Sequence, residues 1–268
     1  MDINLREDIF QQAKSWVLAA GKHIRDRIND PLTIDTKTDP NDLVTSMDQE
    51  IEKFFLEKIK QSYPDHLLLG EEGYGDEVTS LSGTIWIIDP IDGTMNFVHQ
   101  KKNFAISIGI VHDGIGEIGF IYDVMGDVLY SAKRNEGAYR NDTKLESLDQ
   151  YVTLQQSLIG FNHFWLCENR LVDEKVMQQM VKTIRGTRTI GSAALELAYV
   201  AEGSLDGYLA LNLAPWDIAG GLIIVNEVGG VSTDINGKQI NLLERSSVVT
   251  CNQQIQKDLL QFLQQGKK

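Results

Sequence analysis

Residues 86–97 read WIIDPIDGTMNF. The apolar run Ile85–Ile88 has the composition of a buried strand, and it delivers two carboxylates, Asp89 and Asp92, to one spot at its tip. Like charges about 4 Å apart repel by roughly 4 kcal/mol at an effective dielectric of about 20. A fold carries that repulsion when one acid is protonated, when a base sits nearby, or when a cation bridges the pair. No Lys, Arg or His lies within the stretch. Pro90 fixes its own φ and holds Asp89 extended. Gly93 permits a sharp turn into a short helix over 94–98, with Asp92 near its N-cap.

Three other apolar elements stop at acids. HLLLGEEG ends in Glu71 and Glu72, APWDIAGGLIIVNEVGG places Asp217 at the mouth of an apolar helix, and DLVTSMDQE puts Asp48 in a first helical turn. Each alone has an ordinary explanation as a solvated turn, a cap or a charge favoured by the helix dipole. Their repetition points to an oxygen-rich metal site. Carboxylates, with a backbone carbonyl offered by the turn at Ile91, are hard donors, and no Cys or His joins them at ligand spacing. That set selects Mg²⁺, Mn²⁺ or Ca²⁺ over Zn²⁺. The N–H groups of Gly93, Thr94 and Met95 open a helix and form an anion site. A cation beside an anion pocket makes phosphate the natural substrate group, attacked in line by metal-activated water. Phosphatases of the haloacid dehalogenase type instead use the first Asp of Asp-x-Asp-Gly-Thr as a covalent nucleophile. The residue two before Asp92 is Pro90, which cannot attack.

The elements that must hold these acids are readable from periodicity. Helices are expected over 5–28, with Ile9, Ala13, Trp16, Val17, Ala20 and Ile24 inward, and over 46–63, with Ile51, Phe54, Phe55 and Ile59 inward and a capping box at Ser46 and Gln49. Residues 29–45 form a loop or irregular hairpin between them. Strands are expected over 66–69, 84–88, 105–112, 116–122 and 128–132. The polar stretch 140–150 separates a half over 1–150, helices on an antiparallel-rich sheet with most of the acids, from a half over 151–268 that carries Asp217 and alternates α with β. There, strands fall at 157–161, 188–190, 207–211 and 247–250, and helices at 172–185, 192–202, 217–227 and 253–265. The two halves form one compact α+β unit of stacked layers.

Composition narrows the partners. The chain has 268 residues, a 42% hydrophobic fraction and a formal charge of −13. The acidity disfavours nucleic-acid and membrane-surface binding and leaves small molecules and cations. Cys167 and Cys251 are the only cysteines and imply a reducing compartment. With no signal-like or membrane-length apolar run, the expected location is the cytoplasm.

These motifs together resemble the inositol monophosphatase family of Mg²⁺-dependent, lithium-sensitive phosphatases. The likeness runs through KTDPNDLVTSMD at 37–48, GEE at 70–72, WIIDPIDGTMNF at 86–97, RTIGSAALELAYVAEGSLDGY at 188–208 and PWDIAGG at 215–221. It implies a layered αβαβα sandwich, commonly a homodimer, with two or three Mg²⁺ per site held by Glu71, Asp89, the Ile91 carbonyl, Asp92 and Asp217. It implies that Thr94, with Asp48 and Glu71, orients or deprotonates the attacking water. Gly93 and Thr94 would bind phosphate through N–H groups, Ser192 and Ala193 would line the substrate pocket, and a mobile loop over 30–42 carrying Lys37 would close over the metals. Inositol-specific members have a Glu seven residues before the PWD aspartate, and here that position is Ala210. The activity implied is hydrolysis of small phosphorylated polyols such as inositol monophosphate with broadened specificity. NADP 2′-phosphatase or fructose-1,6-bisphosphatase activity on the same site is the alternative. A two-metal nuclease shares the chemistry but needs a basic groove, and a regulatory interaction protein would not need the full acid set.

Overall fold

The computed structural model describes residues 1–31, 33–36 and 43–266. Helix α1 spans Ile3–Arg27, and the Asp2 carboxylate caps it by accepting from the N–H groups of Asn4 and Leu5 at 2.9 and 3.1 Å. Its expected apolar stripe is the buried one. A two-stranded hairpin follows, β1 Ile34–Thr36 against β2 Leu43–Thr45, where a loop or irregular hairpin is expected. Helix α2 covers Ser46–Ser62. Lys37 and most of its loop lie outside the described residues.

Strands β3 Leu67–Gly70, β4 Thr84–Asp92, β5 Ala105–His112, β6 Ile115–Asp123, β7 Val128–Lys133, β8 Gly137–Arg140 and β9 Thr143–Lys144 form one sheet in sequence order. Only the β3–β4 pair is parallel. Helix α3, Thr94–Gln100, interrupts it between β4 and β5. The last residue of β8 and the short strand β9 fall at the start of the polar stretch read as a boundary.

The second half contributes β10 Leu158–Phe161, α4 Glu174–Thr183, β11 Gly186–Arg188, α5 Ala193–Ala201, β12 Gly207–Leu213, α6 Pro215–Glu227, β13 Val231–Thr233, β14 Ser246–Cys251 and α7 Gln253–Gln265. Its sheet has the order β11-β10-β12-β14-β13, parallel at both β10 edges and antiparallel elsewhere.

Helices α1 and α2 cover one face of the large sheet, while α5 and α6 fill the space between the sheets, and α4 and α7 cover the outer face of the small one. The layer order is αβαβα. The apolar residues separate accordingly into a cluster under α1 and α2, one around α5 and α6, one under α4 and α7, and a small one where Ile85, Ile87 and Val111 of the large sheet meet Ala219 of α6. Helix α6 is apolar on nearly all sides because it touches both sheets. No described helix is long and apolar enough to cross a membrane.

Candidate metal and phosphate site

Strand β4 does not stop at Ile88 as its composition suggests. It runs on through Asp92, paired with β5, and its register slips once: Asp89 faces Ser107 and Asp92 faces Ala105. Three steps on β4 therefore match two on β5, which is a bulge at Pro90–Ile91. Proline has no N–H to give the ladder, so a bulge is where a sheet tolerates it. The bulge explains the spacing of the acids. In a regular strand, residues three apart point to opposite faces. One extra residue returns Asp92 to the side of Asp89. The Ile91 N–H closes the bulge on Asp89 Oδ1 at 2.9 Å.

Gly93 follows with φ of 94°, a left-handed conformation that glycine adopts without strain, and it is the N-cap of α3. Asp92 is therefore not that cap, contrary to the sequence expectation. Its Oδ2 instead accepts from the Ser192 hydroxyl and from the Ala194 N–H at 2.8 Å. Asp92 thus joins the first turn of α5, and Ser192 caps that helix by accepting from Leu195 N–H at 3.2 Å. Asp217 sits at the third position of α6, where its Oδ2 accepts from Ala214 N–H at 2.7 Å. Each aspartate is oriented by a backbone donor. The three offer carboxylate oxygens that lie within 4.8 Å of one another.

Asp48 is fully buried and belongs to a capping box with Thr45, one residue ahead of the expected Ser46 and Gln49 pair. Thr45 N–H and hydroxyl both donate to its Oδ2, the former at 2.8 Å. The Thr94 hydroxyl lies 3.3 Å from Asp48 Oδ1 and 3.1 Å from the Ile91 carbonyl oxygen. Glu71 follows β3, and its charge acts directly on Asp89. The turn that carries it is held by Glu52, which has 0% exposure and accepts from the N–H groups of Glu72 and Tyr74 at 2.6 and 2.8 Å. Gly70 makes room for it, since a Cβ there would lie 2.4 Å from Glu52 Cδ. The sequence reading missed Glu52. Its signal was an acid in register with Phe55 and Ile59 on the inward stripe of α2.

Glu71, Asp89, Ile91, Asp92, Gly93, Thr94, Ser192, Ala193 and Asp217 all line one cavity of about 260 Å³. Asn162, Thr189, Gly191, Glu196, Tyr208 and Leu213 complete it, none of them singled out from the sequence as a substrate contact. Ala210 does not line it and packs instead in the apolar cluster around α5 and α6.

Burial, then the charges of Glu71, Asp92 and Asp217, pushes the Asp89 carboxyl well above the usual range. Burial raises Asp217 to about 8, with Asp92 adding repulsion. Burial also raises Asp92 to about 7 and Asp48 to about 6. No Lys, Arg or His is among the lining residues described. Clustered, buried acids offering only oxygen fit a hard divalent cation, and Mg²⁺ in particular keeps coordination positions for water and phosphate.

A five-layered sandwich whose strand bulge and two helix starts converge on an all-oxygen cation pocket defines a metal-dependent phosphatase of the sugar-phosphatase architecture. Known proteins agree. The profile of the inositol monophosphatase family matches residues 5–268. The inositol-1-monophosphatase of Bacillus subtilis (strain 168) is 50% identical over 261 residues, covering 97% of this chain and 98% of that one. The crystal structure of inositol monophosphatase-II from Staphylococcus aureus MSSA476 superposes with a TM-score of 0.88 at 40% identity, over 96% of this chain and 94% of that one. An IMPase/NADP phosphatase complexed with Mg²⁺ and phosphate superposes with a TM-score of 0.90 at 27% identity, over 98% and 99% of the two chains. The chain belongs to the inositol monophosphatase family. It is a phosphoric monoester hydrolase, and its cofactor is Mg²⁺.

Proposed function

We propose that the chain hydrolyses the phosphate monoesters of small polyols, inositol monophosphate foremost, at the cavity lined by Asp89, Asp92 and Asp217. The convergence of those three carboxylates within 4.8 Å carries the reading. Glu71, Asp89, Asp92, Asp217 and the Ile91 carbonyl would hold two or three Mg²⁺. When bound, Mg²⁺ acidifies water and neutralises charge on the phosphoryl oxygens.

The remaining steps belong to the protein. Asp48 and Thr94 form a relay beside the acids, with the threonine hydroxyl 3.3 Å from the buried carboxylate. Asp48 is raised by burial to about 6, a basicity suited to taking a proton from water near neutrality. Thr94 and Glu71, which line the same cavity, orient that water. The N–H groups of Gly93 and Thr94 open α3, where main-chain donors have no helical acceptor, and receive the phosphate oxygens. The products are the free alcohol and inorganic phosphate.

A second reading rests on Ala210. No acid stands at the position where inositol-specific members carry one to receive substrate hydroxyls, so a leaving group such as the nucleotide of NADP or a sugar bisphosphate is the alternative to a polyol. The likeness to an IMPase/NADP phosphatase supports it. We also infer a cytoplasmic, lithium-sensitive homodimer from the family resemblance. Purified protein assayed for phosphate release from inositol 1-phosphate, NADP and fructose 1,6-bisphosphate, with Mg²⁺ or with chelator, tests the whole reading. Absence of Mg²⁺-dependent release from every one of them would refute it. Sedimentation and a lithium titration test the remainder.

A further inference from the structure

An acid is absent at position 210, yet a carboxylate from the helix packed against β12 does line the cavity. On β12, Tyr208 and Ala210 share the face turned towards α5 and α6, while Leu209 and Leu211 face α4 and α7. Glu196, in the first turn of α5, lines the cavity together with Tyr208 and is 4% exposed. One of its oxygens accepts from the Ile190 N–H at 2.7 Å. Tyr208 lies beside it on the same lining. A carboxylate has about four acceptor positions, so the Ile190 N–H leaves capacity on the cavity side. Glu196 stands outside the cluster of Asp89, Asp92 and Asp217. A phosphate dianion is repelled by a carboxylate that has no cation between them, whereas a neutral hydroxyl is attracted.

We propose that Glu196 is a specificity-determining residue, accepting a hydrogen bond from a hydroxyl of the leaving alcohol in place of the acid absent at 210. This rests on the phosphomonoesterase reading above. Selection for polyol esters would then come from α5 rather than from β12. The Ile190 bond fixes the carboxylate and also ties down the segment before Ser192 and Ala193, so a purely positioning role must be told apart from contact with substrate.

Inositol 1-phosphate and cyclohexyl phosphate separate the two, because they share a ring and differ in its hydroxyls. Wild type should favour inositol 1-phosphate in kcat/KM by at least about tenfold, the effect of one hydrogen bond to a charged acceptor. Glu196→Gln keeps the volume but can turn an amide N–H towards the cavity. It should lower kcat/KM for inositol 1-phosphate by about 10- to 100-fold, chiefly through KM, and change cyclohexyl phosphate less than about threefold. Retained cyclohexyl phosphate hydrolysis shows that the variant is folded. Free inositol, as an inhibitor of cyclohexyl phosphate hydrolysis, should weaken in parallel. Equal losses on both esters, unchanged selectivity in the variant, or a wild type that does not discriminate would overturn the proposal. Wild type inert towards both esters with Mg²⁺ present would instead count against the phosphomonoesterase reading, and the proposal would fall with it.

Discussion

Glu52 sits one step behind the acids, and Glu52→Gln isolates its contribution. The glutamate accepts two main-chain N–H groups, from Glu72 and Tyr74, at 2.6 and 2.8 Å with its side chain fully buried. Gln offers one acceptor oxygen, so one N–H loses a charged partner and meets an amide donor. Loss of a hydrogen bond to a charged group is worth about 1.5–3 kcal/mol. In a chain of this size each kcal/mol moves the melting midpoint by about 2–4 °C, so a fall of roughly 4–10 °C is expected. The turn that loosens is the one carrying Glu71. Residues that orient metal ligands typically contribute about 10- to 100-fold in metal affinity or activity, so the Mg²⁺ concentration for half-maximal phosphate release should rise by that factor. Calorimetry and a Mg²⁺ titration of the hydrolysis rate measure the two effects. A melting point within 1 °C of wild type and a superimposable Mg²⁺ curve, each set against the roughly several-degree and tenfold changes above, would refute the reasoning. A lowered melting point with an unchanged Mg²⁺ curve would show that Glu52 stabilises the turn without placing Glu71.

Asp89→Asn should lower Mg²⁺-dependent phosphate release by more than about 100-fold, while circular dichroism stays that of wild type because a buried charge is removed rather than added. Thr94→Ala should reduce kcat by about 10²- to 10⁴-fold with little change in KM, read by steady-state kinetics, since it breaks the relay to Asp48 but leaves the N–H donors. Chelation should destabilise the protein more at pH 8 than at pH 5. Asp92 and Asp217 hold protons to about 7 and about 8 in the cation-free fold, whereas an unfolded chain releases them near 4. Stability present below about pH 4 is therefore lost as pH rises through those values. Mg²⁺ should restore most melting temperature at the alkaline end, and equal shifts at both pH values would contradict the assigned cause.

Elements with a single strong period were legible in the sequence. The stripes of α1 and α7 follow from apolar spacing because each helix faces one layer, and β5 follows from its continuous apolar run because both its faces are covered. The acids of the cavity were legible as types that end apolar elements. The bulge at Pro90–Ile91 was not, since Pro and Asp read locally as a strand stop and only the pairing with β5 shows that β4 continues. The Asp92 contact with Ser192 and Ala194 spans 100 residues or more and has no local signature. Glu52 and Glu196 were passed over because an acid on an apolar helix face reads as an interruption of the stripe. Only its buried partners reveal a purpose. The hairpin β1–β2 was read only as loop or irregular hairpin because it is short and polar.

Asp92 belongs by covalent bond to the large sheet and by hydrogen bond to the helix that opens the substrate wall. One oxygen is already engaged there, so if Asp92 holds a cation with the other, both halves would be tied to it at once. Loading with cation should therefore set the distance between the catalytic edge and the leaving-group wall before any ester arrives. The same linkage constrains chimaeras. Exchanging the C-terminal half between relatives transplants specificity intact only when the donor supplies a hydroxyl and a helix start that meet this aspartate.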